Sequence, residues 1–328
     1  MKPVVITLLA LTAVVLLVLV LAAPAPEVPV LPPPEAVWDR PAEPEPPSAD
    51  AQETVTLLTE EGIVTLPLNT YLEGVVAAEM PASFEPEALK AQAVAARTYT
   101  LWKAASGTAR HPRAQLCTDP GCRQAYRTPE QSAAAWGADA DACAAKIAAA
   151  VAETDGLVLR YDGELIEAVF HSSSAGFTQS AVAVWGADLP YLRSVTSGED
   201  ALTVPNYYSE AVFSADELRG LLTAAWPAVR LRGEPAEWFS DLTRSAGGSV
   251  ASLNVGGVTV TGAQLRRVLG LRSASFTISC TEESVCFHVI GYGHGVGMSQ
   301  YGANLLAQSG LTFREILCWY YTGVTVGE

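Results

Sequence analysis

Two stretches of this 328-residue chain concentrate side chains able to move protons or hold a polar ligand. The first is Tyr71-Leu-Glu-Gly-Val-Val-Ala-Ala-Glu79-Met80-Pro81, where Glu79 stands at the edge of an apolar stripe of Leu72, Val75, Val76 and Met80. A carboxyl held against apolar neighbours loses the hydration that favours its charged form. Its pKa rises, and it can act as a general acid near neutral pH. A solvated or helix-capping glutamate is the competing reading of the same residue. The second stretch is Gly291-Tyr-Gly-His294-Gly-Val-Gly-Met-Ser299-Gln300-Tyr301. Its four glycines permit unusual backbone angles and close approach of a ligand. His294, Ser299, Gln300 and Tyr301 project from this turn and from the helix start after it. No lysine follows, so this is not a phosphate loop. A glycine turn needed only for packing is the alternative.

A third candidate is His171-Ser172-Ser173-Ser174, at the end of a strand. An imidazole and three hydroxyls suit sugar hydroxyls, or else form a plain polar loop. No Gly-x-Ser-x-Gly elbow supports a serine hydrolase. A fourth is His111, Cys117 and Cys122, three donors within a short run. They could ligate zinc, with Asp119 or a remote residue as the fourth ligand, although the spacing is not that of a common finger. A Cys117–Cys122 disulfide or free thiols account for them equally well. Cys280 and Cys286 bracket a short turn and read as a disulfide. Cys143 and Cys318 fall on helical, apolar stretches and read as buried thiols.

The elements that must position these groups are legible in outline. Pro81 ends the helix that carries Glu79, because a residue before proline is pushed out of the α region. A second helix runs from Pro86 through Arg97 and Tyr99. Residues 54–68 form a hairpin around Glu60-Glu-Gly62, and 140–152 an alanine-rich helix. A strand pair turns at Asp162-Gly163 and runs on to His171. Residues 207–213 form a strand, and Ser214 caps the helix after it. Another strand pair, 249–260, turns at Gly256-Gly257, and a helix over 261–269 ends at Gly270. Strands over 275–279 and 285–290 and helices over 304–309 and 312–320 complete the chain. Strands and helices do not alternate as βαβ units. The fold class is therefore α+β, an antiparallel sheet with packed helices and a substrate groove.

Composition bounds the partners. The chain is 49% hydrophobic and 17% charged, with a formal net charge of −15. Nucleic acid requires a basic surface and is excluded as a partner; a neutral glycan is not. Val4 to Ala23 is almost wholly apolar, follows Lys2, and is long enough to span a bilayer as a helix. Pro24 and Pro26 sit where a cleaved signal would be cut. The expected layout is a transmembrane anchor over 1–24, a proline-rich linker over 25–51, and an extracytoplasmic catalytic domain over 52–328. The chain is then single-pass in the cell membrane, with its N-terminus cytoplasmic.

These motifs occur in the same order in one family. The sequence resembles stage II sporulation protein D, a peptidoglycan lytic transglycosylase whose relatives include amidase enhancers. The likeness rests on Tyr71 to Pro81, Leu89-Lys-Ala-Gln-Ala-Val-Ala-Ala-Arg97-Thr98-Tyr99, His171-Ser-Ser-Ser-Ala-Gly, Val260-Thr-Gly262 through Ser273 and Phe276, and Gly293 to Ala303. It covers roughly Thr54 to Val326.

The resemblance implies that Glu79 is the catalytic acid/base. One carboxyl would protonate the oxygen bridging N-acetylmuramic acid and N-acetylglucosamine, then take the proton of the muramic C6 hydroxyl as a 1,6-anhydro ring closes. Water is not the nucleophile, so the second carboxylate of ordinary glycosidases is not needed. The implied substrate is a glycan strand stripped of its stem peptides. The implied partners are a cell-wall amidase and other membrane-bound sporulation or wall proteins. Arg97, Tyr99, His171, Ser172, Ser173, His294, Ser299, Gln300 and Tyr301 are the groove candidates. Arg97 would hold the lactyl carboxylate that peptide removal leaves, against a structural ion pair. The chemistry needs no cofactor. Zinc-bearing members resemble a His and Cys followed by a ligand pair just before Gln-Ala-Tyr. Here that pair is Cys122-Arg123, and arginine cannot bind a metal, so His111, Cys117 and Cys122 are an incomplete set: either a structural zinc takes its fourth ligand from water or elsewhere, or the site is lost. A non-catalytic glycan-binding scaffold that recruits or stimulates an amidase is the alternative. A zinc metallohydrolase is disfavoured, since no His-Glu-x-x-His occurs.

Overall fold

Among the described residues, secondary structure begins at Ser48, which caps a helical turn, α1 (Ala49–Gln52), by accepting from the Ala51 N–H. The computed structural model of the protein describes residues 48–106, 113–118 and 124–328. The turn lies within the stretch that composition assigns to the linker. It is ordered because Asp155 accepts from Ser48 Oγ and from the Ala49 and Asp50 amides, while Asp50 is buried against Arg97. The expected membrane span and the rest of the linker, 1–47, lie outside the described residues. Among the described residues no helix is long and apolar enough to cross a membrane.

A hairpin of β1 (Thr54–Thr59) and β2 (Gly62–Pro67) leads into α2 (Leu68–Glu79) and α3 (Pro86–Ser106). Met80, before Pro81, is extended, as its position predicts. β3 (Leu116–Cys117) joins β1 in parallel. α4 (Pro129–Trp136) and α5 (Ala140–Ala152) follow. β4 (Val158–Tyr161) turns at Asp162-Gly163 into β5 (Glu164–Leu165). The second strand of that pair does not run on to His171. It breaks, and β6 (Phe170–His171) leaves for another partner. After α6 (Ala181–Trp185) come β7 (Tyr208–Ser214), α7 (Ala215–Ala225), β8 (Phe239–Arg244), β9 (Val250–Val255), β10 (Val258–Val260), α8 (Gly262–Leu269), β11 (Phe276–Cys280) and β12 (Ser284–Ile290). The chain closes with β13 (Met298–Ser299), α9 (Gln300–Gln308), α10 (Phe313–Tyr320) and β14 (Thr325–Gly327). α9 starts at Gln300, earlier than its apolar pattern suggests, because the Ser299 hydroxyl caps it.

The class is α+β, but the strands make several small sheets rather than one. Most pairs are antiparallel; β1–β3 and β6–β13 are parallel. Two cores result. The first packs α2, α3, α5 and α10 around Tyr71, Leu72, Leu89, Val94 and Tyr320. The second packs α7 and α8 on β9, β11 and β12 around Trp238, Leu253, Leu265 and Phe287. α8 shows how local sequence sets an element. Thr261 and Gln264 form a capping box, and Gly270 closes the helix in the left-handed region at φ 65°.

The cysteine expectations need correction. In the β11–β12 register Cys280 stands opposite Val285 and Cys286 opposite Ser279. Paired residues share a face and neighbours alternate, so Cys280 and Cys286 point to opposite faces and cannot bridge. Cys143 is half-buried and Cys318 exposed, not buried.

Candidate active site

Glu79 is the last residue of α2, and a close approach of the chain on that helix positions its partner. Gly74 leaves room for the segment 124–127; an added Cβ would collide with the Tyr126 ring and the Arg127 carbonyl. The Arg127 N–H donates to the Gly74 carbonyl at 3.1 Å, and the Tyr126 ring stacks on Tyr71. This seats the Ala125 amide, which donates to Glu79 Oε1 at 2.7 Å. On the other oxygen, Gln300 Nε2 donates to Oε2 at 3.2 Å. Burial raises the Glu79 pKa above the ordinary carboxylate value, and the two donors hold it back.

Gln300 reaches Glu79 because the glycine turn folds against β6. β13 pairs with β6 in parallel, and the Tyr301 N–H donates to the Ser172 carbonyl at 3.0 Å. Gly297, at φ 73°, lies so close to Val169 that a Cβ would strike its carbonyl. A buried carboxylate, Glu199, ties the two segments: its Oε1 accepts from the Ser174 N–H at 2.6 Å and from the Ser299 hydroxyl.

Both histidines are neutral. His171 Nδ1 donates to the Val296 carbonyl at 3.1 Å, and its Nε2 accepts from Ser174 Oγ at 2.7 Å. Burial brings its pKa down to about 4. His294 Nδ1 accepts from the Val296 N–H at 3.1 Å, and its ring packs between Trp185 and His171. Burial brings it down to about 3. The His171 ring proton goes to the Val296 carbonyl and the His294 ring proton to the Phe170 backbone, so these side chains serve as polar walls.

A cleft of about 460 Å³ collects residues from both cores: Glu79, Tyr99, Gln124, Ala125, His171, Ser172, Arg266, Tyr292, His294 and Gln300 among them. A second cavity, of about 300 Å³, is lined by Glu79, Met80, Arg127, Trp136, Ser172, Gln300 and Tyr301. Glu79, Ser172 and Gln300 thus form a wall common to the two. Among the described residues no second carboxylate lines either space.

The sequence candidates divide accordingly. Glu79, Tyr99, His171, Ser172, His294 and Gln300 meet in the larger cleft, and Tyr301 borders the smaller one. Arg97 does not reach it. It is fully buried, with its guanidinium on Asp50 at 2.6 Å and on the carbonyls of Val151 and Leu157. Ser299 is buried as the α9 cap, and Ser173 is buried and bridges Tyr292 through its backbone. Both hold the loops and do not line the cleft. Of the metal candidates, Cys117 is buried on β3; His111 and Cys122 lie outside the described residues.

Sequence reasoning missed Ala125, Gln124, Arg266, Tyr292 and Trp185. A backbone amide has no sequence signature, although Gln124-Ala125-Tyr126 was visible as a fixed unit after the cysteines. Arg266 sits in the last turn of an amphipathic helix, where a solvated cation is ordinary. Here its Nε donates to the carbonyls of Leu271 and Arg272, and it is the one cation among the described lining residues of the larger cleft.

Comparison with known proteins follows the same outline. A family model described as "Stage II sporulation protein" matches residues 59–161. Stage II sporulation protein D of Bacillus subtilis (strain 168) is 39% identical over 270 residues, 82% of this chain and 76% of that protein. The protein of the same name from Bacillus amyloliquefaciens is 39% identical over 272 residues, 82% and 77% of the two chains. The amidase enhancer of Bacillus subtilis (strain 168) is 29% identical over 78% of this chain, which spans 40% of that longer protein.

Proposed function

The chain belongs to the stage II sporulation protein D family, and from that membership we propose that it is a lytic transglycosylase of peptide-stripped peptidoglycan. It cleaves the β-1,4 bond between N-acetylmuramic acid and N-acetylglucosamine and leaves 1,6-anhydro-muramic ends, in sporulation or wall remodelling. One observation carries the reading: a desolvated carboxyl on the wall common to two cavities, with no second carboxyl beside it. A polymer lying across Glu79 places a sugar in each space.

The Ala125 amide holds Oε1, so Oε2 carries the proton, and the Gln300 amide beside it is placed to stabilise the charge that loss of the proton leaves. Glu79 gives that proton to the bridging oxygen as the bond to muramic C1 breaks. The carboxylate, now charged, is stabilised by both donors and removes the C6 hydroxyl proton as O6 bonds to C1. No water is consumed, so the single carboxyl returns to its starting form. Arg266, rather than Arg97, is the cation that the larger cleft offers to a free lactyl carboxylate.

Purified protein and Glu79→Gln, each incubated with peptide-free strands and read by mass spectrometry, test the proposal. Anhydro ends from the parent alone support it; anhydro ends from both remove Glu79 from the chemistry.

The likeness to an amidase enhancer favours a second reading, a glycan-binding scaffold that stimulates a cell-wall amidase. On that reading Glu79→Gln keeps full amidase stimulation and the parent makes no anhydro ends. Membrane attachment through residues 1–24 is also proposed. Detergent-dependent extraction from membranes, lost on deleting the apolar run, is its test. A structural zinc held by His111, Cys117 and Cys122 would stand apart from the chemistry; zinc content after Cys117→Ser decides it.

A further inference from the structure

The outer face of the sheet formed by β11, β12 and β7 carries a cluster that the cleft chemistry does not use. Cys286 and His288, two apart on β12, project from the same face. His288 stands opposite Glu210 of β7, and Cys286 opposite Ser279 of β11. His288 Nδ1 lies 3.0 Å from Glu210 Oε1 and 3.9 Å from Cys286 Sγ. Its other nitrogen, Nε2, is 2.8 Å from Ser279 Oγ. The three ligand atoms all fall within 4.8 Å of one another.

We propose that Glu210, Cys286 and His288 form a site for a divalent transition-metal ion, zinc by preference, on this face. The donor set selects the ion: thiolate and imidazole favour zinc over magnesium or calcium, which take oxygen ligands. Zinc–ligand bonds of about 2.0–2.3 Å put tetrahedral donors about 3.3–3.7 Å apart. The observed separations of 3.0 and 3.9 Å bracket that range, so small side-chain rotations close the cage. Ser279 supplies the outer contact that metal-bound histidines use, since it accepts Nε2–H and leaves the Nδ1 lone pair for the ion. Two anionic donors neutralise the ion's charge. Binding releases the thiol proton and any proton on Nδ1 to solvent. The half-exposed face leaves a fourth position for water. A His288–Glu210 ion pair alone has no use for the third donor. Cys286 faces away from Cys280, so it is not committed to a disulfide. Two paired strands, β7 and β12, fix the ligand Cα atoms, which makes the site rigid in advance of the ion.

The full chain, loaded with zinc alone and dialysed, tests this by metal analysis, with cobalt(II) as the optical probe. The parent is expected to hold one ion per chain more than Cys286→Ser or His288→Asn. Cys286→Ser is expected to lose thiolate-to-cobalt charge-transfer intensity. Ser279→Ala is expected to weaken zinc binding about 10- to 100-fold. Equal metal content in the parent and both ligand variants, with unchanged cobalt absorption, overturns the proposal. Differences against the parent separate this site from any ion at Cys117. Circular dichroism checks folding; if Cys286→Ser unfolds, His288→Asn decides. Glycan cleavage is not the readout, so the outcome is independent of the transglycosylase reading.

Discussion

Oε2 of Glu79 accepts a hydrogen bond from Nε2 of Gln300, a residue 221 positions further along the chain. The proposed acid sits at the end of α2, and the group that tunes it sits at the start of α9. That contact, with the Ala125 amide on Oε1, leads directly to a first expectation. Loss of the proton-transferring group in Glu79→Gln lowers turnover by about 10²- to 10⁴-fold, measured as anhydro ends per unit time. The same variant melts at higher temperature than the parent at about pH 8. The reason is the sign of the linkage: the folded pKa of Glu79 is raised, so ionising it costs folding stability as pH rises through that window. The gap in melting temperature narrows on acidification; a gap independent of pH contradicts the assignment.

Gln300→Ala removes a donor that favours the charged form of Glu79. The carboxyl pKa then climbs further. A general acid must be protonated, so kcat/KM falls on the alkaline side of its pKa, and that limb moves to higher pH in the variant. A pH profile with an unmoved limb shows that another group controls the proton.

The two arginines are expected to separate cleanly. Arg97→Met strands Asp50 in the core, which costs about 3–5 kcal/mol in denaturant unfolding. Folded Arg97→Met keeps its affinity for glycan. Arg266→Gln gives up two bonds to the Leu271 and Arg272 carbonyls, so it unfolds more easily than the parent by less than Arg97→Met does, and it loses about 10- to 100-fold in affinity for strands with free lactyl carboxylates. Chitin oligomers, which lack the lactyl group, bind both proteins alike. Equal loss on the two ligands would assign Arg266 a structural role.

The neutral histidine pair, His171 buried and His294 half-buried beside it, makes the fold sensitive to acid. His171 and His294 have folded pKa values of about 4 and about 3, below the ordinary value near 6.5. The unfolded chain therefore binds more protons in that interval. Their contribution is fully present above about pH 6.5 and is lost as pH falls toward 4. The urea midpoint should drop steeply between about pH 6.5 and 4.5, and His294→Gln should flatten the slope. A midpoint with no pH dependence across that range refutes the neutral pair.

Much of this is legible in the sequence. Pro81 marks the end of the helix bearing Glu79, and Thr261, Gln264 and Gly270 delimit α8 by caps alone. The density of polar groups around His294 and Gln300 pointed to the cleft. What escaped was whatever depends on a partner distant in sequence. Arg97 looked like a ligand-binding cation because Asp50 lies in a stretch whose composition reads as linker. Ser299 looked like a cleft residue, although its hydroxyl is spent capping α9. The Ala125 amide is invisible in principle, since every residue but proline has one. β6 and β13 are two residues each, too short for a periodic pattern, yet their pairing joins the halves of the site.

That short pairing also sets an order of events. Glu79 and its helix can form early from local contacts, but Gln300 reaches it only after β13 has docked on β6, across more than a hundred residues of intervening chain. Closing so long a loop is slow and comes late in folding. Until then the carboxyl faces water and keeps an ordinary pKa. On the proposed reading the acid is therefore completed only when the fold is, and a chain cut short before α9 is expected to have the helix and the glutamate but no activity.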